Sequence, residues 1–178
     1  MGPCVFGTTM ASGRNLSYLP IIKKQVKAPE GKRNAMWTFT DEQNIVSQMV
    51  LYNADSVINI VNYNAEGKEE NGDRFLEKPA MFAGGKDGWR KFLERNFRFP
   101  AESAAANVNG DARVQITIDK TGKISMMTLL DSPDYYTGQE ALRLMRSSPN
   151  WEPARWHNRP IVYKFTQKIT FHSTRSFR

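Results

Sequence analysis

The chain has 178 residues, a formal net charge of +7, 40% apolar and 24% charged residues and a mean hydropathy of −0.56. These values describe a globular chain of one medium or two small domains, and they exclude disorder and an apolar membrane-spanning run. A single cysteine, Cys4, and two histidines, His157 and His172, exclude a disulfide framework and a Cys-based zinc site, so no metal or cofactor is expected.

Residues 1–30 read as an arm or linker ending in the basic stretch Lys23–Lys27, within which Tyr18–Ile22 can dock as an edge strand. The start carries no secretory signal pattern, and Cys4 reads either as an incidental thiol or as the remnant of a lipid-modified terminus. Residues 31–78 read as β-hairpins, with β-branched and aromatic runs at Ile45–Tyr52 and Val57–Tyr63 separated by Asn-rich turns. Phe39–Asn44 echoes Tyr63–Lys68 24 residues later, an aromatic strand end followed by an acidic turn, and the pair resembles MORN-like hairpin repeats.

Residues 79–172 follow an α-β-β-α-β order. Trp89, Phe92, Leu93 and Phe97 share one helical face, with Asp87 as the expected cap and Pro100 as the stop. Ala101–Asn109 reads as a loop. Val114, Ile116 and Ile118 alternate with polar residues, Asp119–Gly122 is a turn needing a positive φ at Gly122, and Lys123–Leu130 returns as the second strand. Thr137 and Glu140 read as a capping box opening a second helix that Pro149 ends. Pro160–Phe171 then reads as one long strand, with Ile161, Tyr163, Phe165, Ile169 and Phe171 on one face, interrupted by Gln167. Two helices on one face of a small antiparallel sheet make an α+β, two-layer fold, with residues 173–178 as a tail. All seven units of excess charge fall in residues 80–178, where sixteen bases meet nine acids, so an acidic partner is favoured.

Gly84-Gly85, the helix, Arg98-Phe99-Pro100, Asn109–Ile124 and then Pro149-Asn150-Trp151-Glu152-Pro153, Asn158–Val162 and Lys168–Phe171 are, in order and spacing, similar to the TonB C-terminal domain. Phe99 stands where that family usually has Tyr, the Gly common near Asn158 is absent, and the family's anchor and Pro-rich spacer are not seen. The resemblance implies a periplasmic or cell-envelope module that binds rather than catalyses. Its partner would be a peptide of an outer-membrane transporter, captured in energy-coupled transport by strand addition to the edge Arg159–Lys168. Arg159, Val162, Lys164, Thr166 and Lys168, with Trp156 and His157, are the candidate partner-binding residues, and strand pairing between two copies is a possible homodimer. No nucleophile, paired His or acid/base pair stands out; Asp131 and Asp134 around Pro133 suit a turn. The alternatives are a basic nucleic-acid-binding domain and a non-transducing envelope scaffold. Salt separates nucleic-acid binding from strand capture, because phosphate binding weakens steeply with ionic strength.

Overall fold

The computed structural model of the chain describes residues 21–23, 26–27, 32–41, 43–71 and 74–173. Cys4, most of the 1–30 arm and the 174–178 tail lie outside the described residues. The chain divides into two compact units. Ala154–Ile161 joins the N-terminal unit that runs to Pro79, whereas Ala80–Pro153 and the chain from Val162 onward form the C-terminal unit.

In the N-terminal unit, β1 (Ile21–Lys23), β2 (Val26–Lys27), β3 (Arg33–Thr40), β4 (Val46–Asn53), β5 (Ser56–Tyr63) and β6 (Glu69–Glu70) form an antiparallel sheet. Its order is β1-β3-β4-β5-β6, with β2 also paired to β3. Part of the expected arm is therefore strand, at Ile21–Lys23 and Val26–Lys27. Alternation sends Trp37, Phe39, Val50, Tyr52 and Ile60 into one core. A second small sheet, of β7 (Glu77–Lys78), β10 (Ala154–Trp156) and β11 (Arg159–Ile161), belongs to the same unit.

The C-terminal unit is built from α1 (Gly85–Asn96), α2 (Ala101–Ala105), β8 (Gly110–Ile118), β9 (Ile124–Asp131), α3 (Tyr135–Ser147) and β12 (Tyr163–Phe171), and its sheet order is β12-β8-β9. The expected α-β-β-α-β order stands, with one helix more than expected: Ala101–Ala105 is a short helix rather than loop, entered through Pro100. The residue before a proline is held extended, so Phe99 swings away from α1 and packs its ring 6.0 Å from Phe171. Val114, Ile116 and Ile118 of β8 and Phe165, Ile169 and Phe171 of β12 are all at most 3% exposed and lie on one face, with Leu144 and Met145 of α3 buried as well. Trp151 sits among Phe82, Trp89 and Phe165 at 5.3–5.9 Å between ring centroids. Gly122, at φ +87°, takes the turn and also lets its backbone meet Trp151. The Trp151 N–H reaches the Gly122 carbonyl at 2.7 Å, and a Cβ there would come within 2.0 Å of the Trp151 oxygen.

Two caps differ from expectation. α1 starts after Gly84, at φ +79°, with no side-chain cap, and Asp87 lies inside the first turn, where its charge favours the helix dipole. α3 is capped by Asp134, which accepts from the Thr137 N–H at 2.7 Å while the Thr137 hydroxyl meets the Asp134 backbone. The capping box is thus Asp134/Thr137, one turn earlier than Thr137/Glu140. Glu140 binds elsewhere. It is 8% exposed and accepts from the Arg98 N–H at 2.8 Å and from Arg143 at 2.7 Å, while Arg143 also donates to the Asn96 carbonyl. The carboxylate ties the end of α1 to α3.

Candidate functional site

The seven predicted partner-binding residues fall into two groups, one in each unit. The expected single strand over 160–171 is broken at Val162, a half-buried residue outside both β11 and β12. Trp156 and Arg159 close the β10–β11 hairpin as a cross-strand pair, and His157 and Asn158 form its two-residue turn with φ +46° and +61°. Two consecutive positive φ values match the twist of a tight hairpin, and Asn and His tolerate them better than most residues.

These residues are committed within the N-terminal unit. His157 is 6% exposed, and its ring stacks on Phe39 at 3.4 Å between centroids with 8° between planes. Its N–H donates to the Leu76 carbonyl at 2.7 Å, and its carbonyl accepts from the Ser47 hydroxyl at 3.0 Å. Arg159 donates to the Thr40 carbonyl at 2.5 Å, and Trp156 is half-buried with its ring 5.2 Å from that of His157. The buried polar residues form one network. Gln48 Nε2 donates both to Asn62 Oδ1 and to the Phe75 carbonyl, so Gln48 Oε1 is left to accept from His157 Nδ1 at 2.7 Å. That assigns a proton to Nδ1. Burial, with the Arg159 and Arg33 charges adding to it, pushes the His157 imidazole down to about 4. A lone loop histidine reads from sequence as a solvated or partner-facing group, and the structure makes it a core residue.

The second group lies on β12. All nine of its residues pair with β8 in one unbroken register, Tyr163↔Ile118 through Phe171↔Gly110. The direction of the backbone groups follows from the hairpin turn. Asp119 donates its N–H to the Lys123 carbonyl at 2.9 Å, so Asp119 faces β9. Facing alternates along an antiparallel strand, so Arg113, Gln115 and Thr117 also face β9, while Ala112, Val114, Ile116 and Ile118 face β12. Their partners Tyr163, Phe165, Gln167 and Ile169 therefore direct their N–H and C=O groups to β8. Lys164, Thr166, Lys168 and Thr170 turn theirs to the far side, and among the described residues no strand pairs with that side.

The two rims of this sheet are unlike. β9 carries two irregularities, with Ser125 and Leu130 as the extra residues opposite Thr117/Ile118 and Arg113/Val114. Such bulges bend a strand and spoil its outer edge. β12 has none over its nine residues. Its side chains on the outer face are also sorted. Lys168 pairs with Asp111 at 3.1 Å, and the Thr170 hydroxyl donates to the same carboxylate at 2.6 Å, which with Lys168 holds the Asp111 carboxyl below its usual range. Lys164 is exposed and makes no ion pair among the described residues.

Asp131 pairs with Arg113 and Asp134 caps α3, so both carboxylates have structural work. No group of three or more His, Cys, Asp or Glu arranged to hold a metal occurs among the described residues. No helix among them is long and apolar enough to cross a membrane.

The C-terminal unit is a two-layer α+β domain whose last strand has a straight rim that no strand pairs with among the described residues. The family model for the Gram-negative bacterial TonB protein C-terminal matches residues 95–173, so this part of the chain is TonB C-terminal-like. The match begins beyond the 31–78 segment and lends nothing to the MORN-like echo there. No curated protein and no solved structure matches the chain.

Proposed function

We propose that the chain is a cell-envelope binding module that captures an extended segment of an outer-membrane transporter on the open rim of β12, in energy-coupled transport. The carrying observation is the unbulged strand Tyr163–Phe171, whose residues Lys164, Thr166 and Lys168 turn their backbone groups away from β8. An extended guest satisfies such a row of donors and acceptors, and its alternate side chains give specificity. Lys164, the cation on this strand without a partner acid among the described residues, favours an acidic residue in the guest. The match to the TonB C-terminal family supports a transporter as the source of that guest and the periplasm as the place. Binding rather than catalysis is the reading, and a second copy of β12 is a rival guest for the same rim.

The test is selection of displayed random decapeptides on the full chain, with Thr166→Pro as the comparison. Proline is tolerated on an edge strand where its missing N–H faced outward, so this variant keeps its fold. It is expected to bind the selected peptides at least about tenfold more weakly, because one ladder bond is lost and the ring crowds the rim. Equal binding by Thr166→Pro, or no peptide enriched on the wild-type chain, overturns the proposal. Tight oligonucleotide binding that collapses with added salt, without peptide binding, replaces it with the nucleic-acid reading.

A further inference from the structure

Gln167 is the polar residue in the apolar run of β12 and is 4% exposed. It pairs with Val114, and its neighbours on the same face are Phe165 and Ile169. A carboxamide in such a place needs partners, since a buried polar group without hydrogen bonds is costly. The partner it has is unusual. Gln167 Nε2 donates at 3.0 Å to the carbonyl of Lys168, its own neighbour in the chain. The backbone of Gln167 faces β8, but that of Lys168 faces the open rim. The buried side chain therefore places its donor on an acceptor that belongs to the rim.

We infer that Gln167 occupies the guest's place at Lys168 and sets which guests the rim accepts. The inference rests on the strand-capture reading and names one feature of its partner. Among the described residues no side chain donates to the acceptors of Lys164 and Thr166, so pairing begins there. Extending the ladder to Lys168 replaces the Gln167 donor with a guest N–H. The displaced carboxamide then remains buried and must bond elsewhere. A guest side chain lying beside Gln167 on the same face supplies that bond if it is Ser, Thr, Asn or Gln, and withholds it if it is Val or Leu. The rim thus selects an extended peptide with a hydroxyl or carboxamide at one fixed position. Sites that hydrogen-bond a partner reject analogues lacking the group for the same reason, because the site's own polar atom is left alone.

A double-mutant cycle on the full chain tests this. The probe is a decapeptide enriched on the wild-type chain, together with its variants in which each residue in turn is valine. One peptide position is expected where valine weakens binding to the wild type about tenfold but weakens binding to Gln167→Met less than about twofold. Gln167→Leu repeats the cycle with a different apolar shape if the Met variant fails to fold. In the free wild-type chain the Gln167 carboxamide protons are expected to exchange slowly with solvent by NMR, and saturating peptide is expected to change their shift. Peptides that bind both chains with the same valine profile, or carboxamide protons that exchange freely and ignore the peptide, overturn the role of Gln167 and leave strand capture standing. Absence of any enriched peptide overturns strand capture, and this role with it.

Discussion

The two units close small antiparallel sheets with opposite chemistry. The C-terminal unit fills its core with Val114, Ile116, Leu144, Trp151, Ile169 and Phe171, with Gln167 as the polar residue on its sheet face, and other polar residues act at element junctions, as Asp134 does at the start of α3 and Glu140 between α3 and the end of α1. The N-terminal unit instead buries Gln48, Asn62, Ser47, His157 and Asn158 beside its aromatics. Apolar packing tolerates many arrangements of similar volume, whereas a buried polar network is satisfied by one. The contrast shows where specificity is needed. α1, α2, β8, β9 and α3 follow one another with short connections, but β10 and β11 come from far along the chain beyond the strands they complete. Bonds such as Gln48 to His157 and Arg159 to Thr40 tell that distant hairpin where to stop.

The largest effect expected within this contrast is for Trp151→Ala. It removes a side chain packed among three aromatic rings and should cost the C-terminal unit about 3–5 kcal/mol, measured by urea unfolding. Amide exchange, read residue by residue, should show the loss in β8 and β12 before β4 and β5. Equal loss in both sets would mean that the units unfold as one, and the comparison would dissolve.

Acid should act on the other unit. The folded N-terminal unit holds His157 near 4, against 6.5 for a free imidazole. Between those values the unfolded chain binds a proton that the folded unit refuses, so the contribution is fully present above pH 6.5 and is lost as pH falls towards 4. About 3 kcal/mol should go over that range, seen as exchange in β4 and β5. His157→Asn keeps a residue that tolerates φ +46° and should flatten the slope. In the C-terminal unit Asp111, Asp131 and Asp134 are held below the usual carboxylate range by their hydrogen bonds or by a paired base, so its acid loss should begin only below about pH 4. A smaller effect is expected for Asp134→Ala, about 1 kcal/mol from the lost cap of α3, and the smallest for Asp87→Ala at α1, which should change little.

Much of the C-terminal unit was legible in the sequence because its signals are local. Val114, Ile116 and Ile118 alternate cleanly, Gly122 marks its turn, and Trp89, Phe92 and Leu93 share a helical face. The cap of α3 was misplaced because two boxes overlap: Thr137 and Glu140 have the right spacing, but Asp134 precedes them and Glu140 is drawn into the α1–α3 junction instead. The β10–β11 hairpin was hidden for a different reason. Ile161, Tyr163 and Phe165 keep a period of two straight through Val162, so the period does not mark the break there, and a His-Asn turn lacks the glycine that usually signals a hairpin. The rim of β12 was legible as a last strand with Lys164, Thr166 and Lys168 on its polar face. That these residues also turn their backbones outward depends on the register set at Asp119, which no periodicity reveals.

The bulges at Ser125 and Leu130 have a consequence for assembly. A sheet receptive on both sides would let each recruit offer a fresh surface to the next, and growth would have no end. Here the bulges spoil β9, so under the strand-capture proposal a visitor on β12 would leave this sheet no second receptive flank: two copies meeting through β12 would make a closed pair, and a bound peptide would terminate the chain of additions.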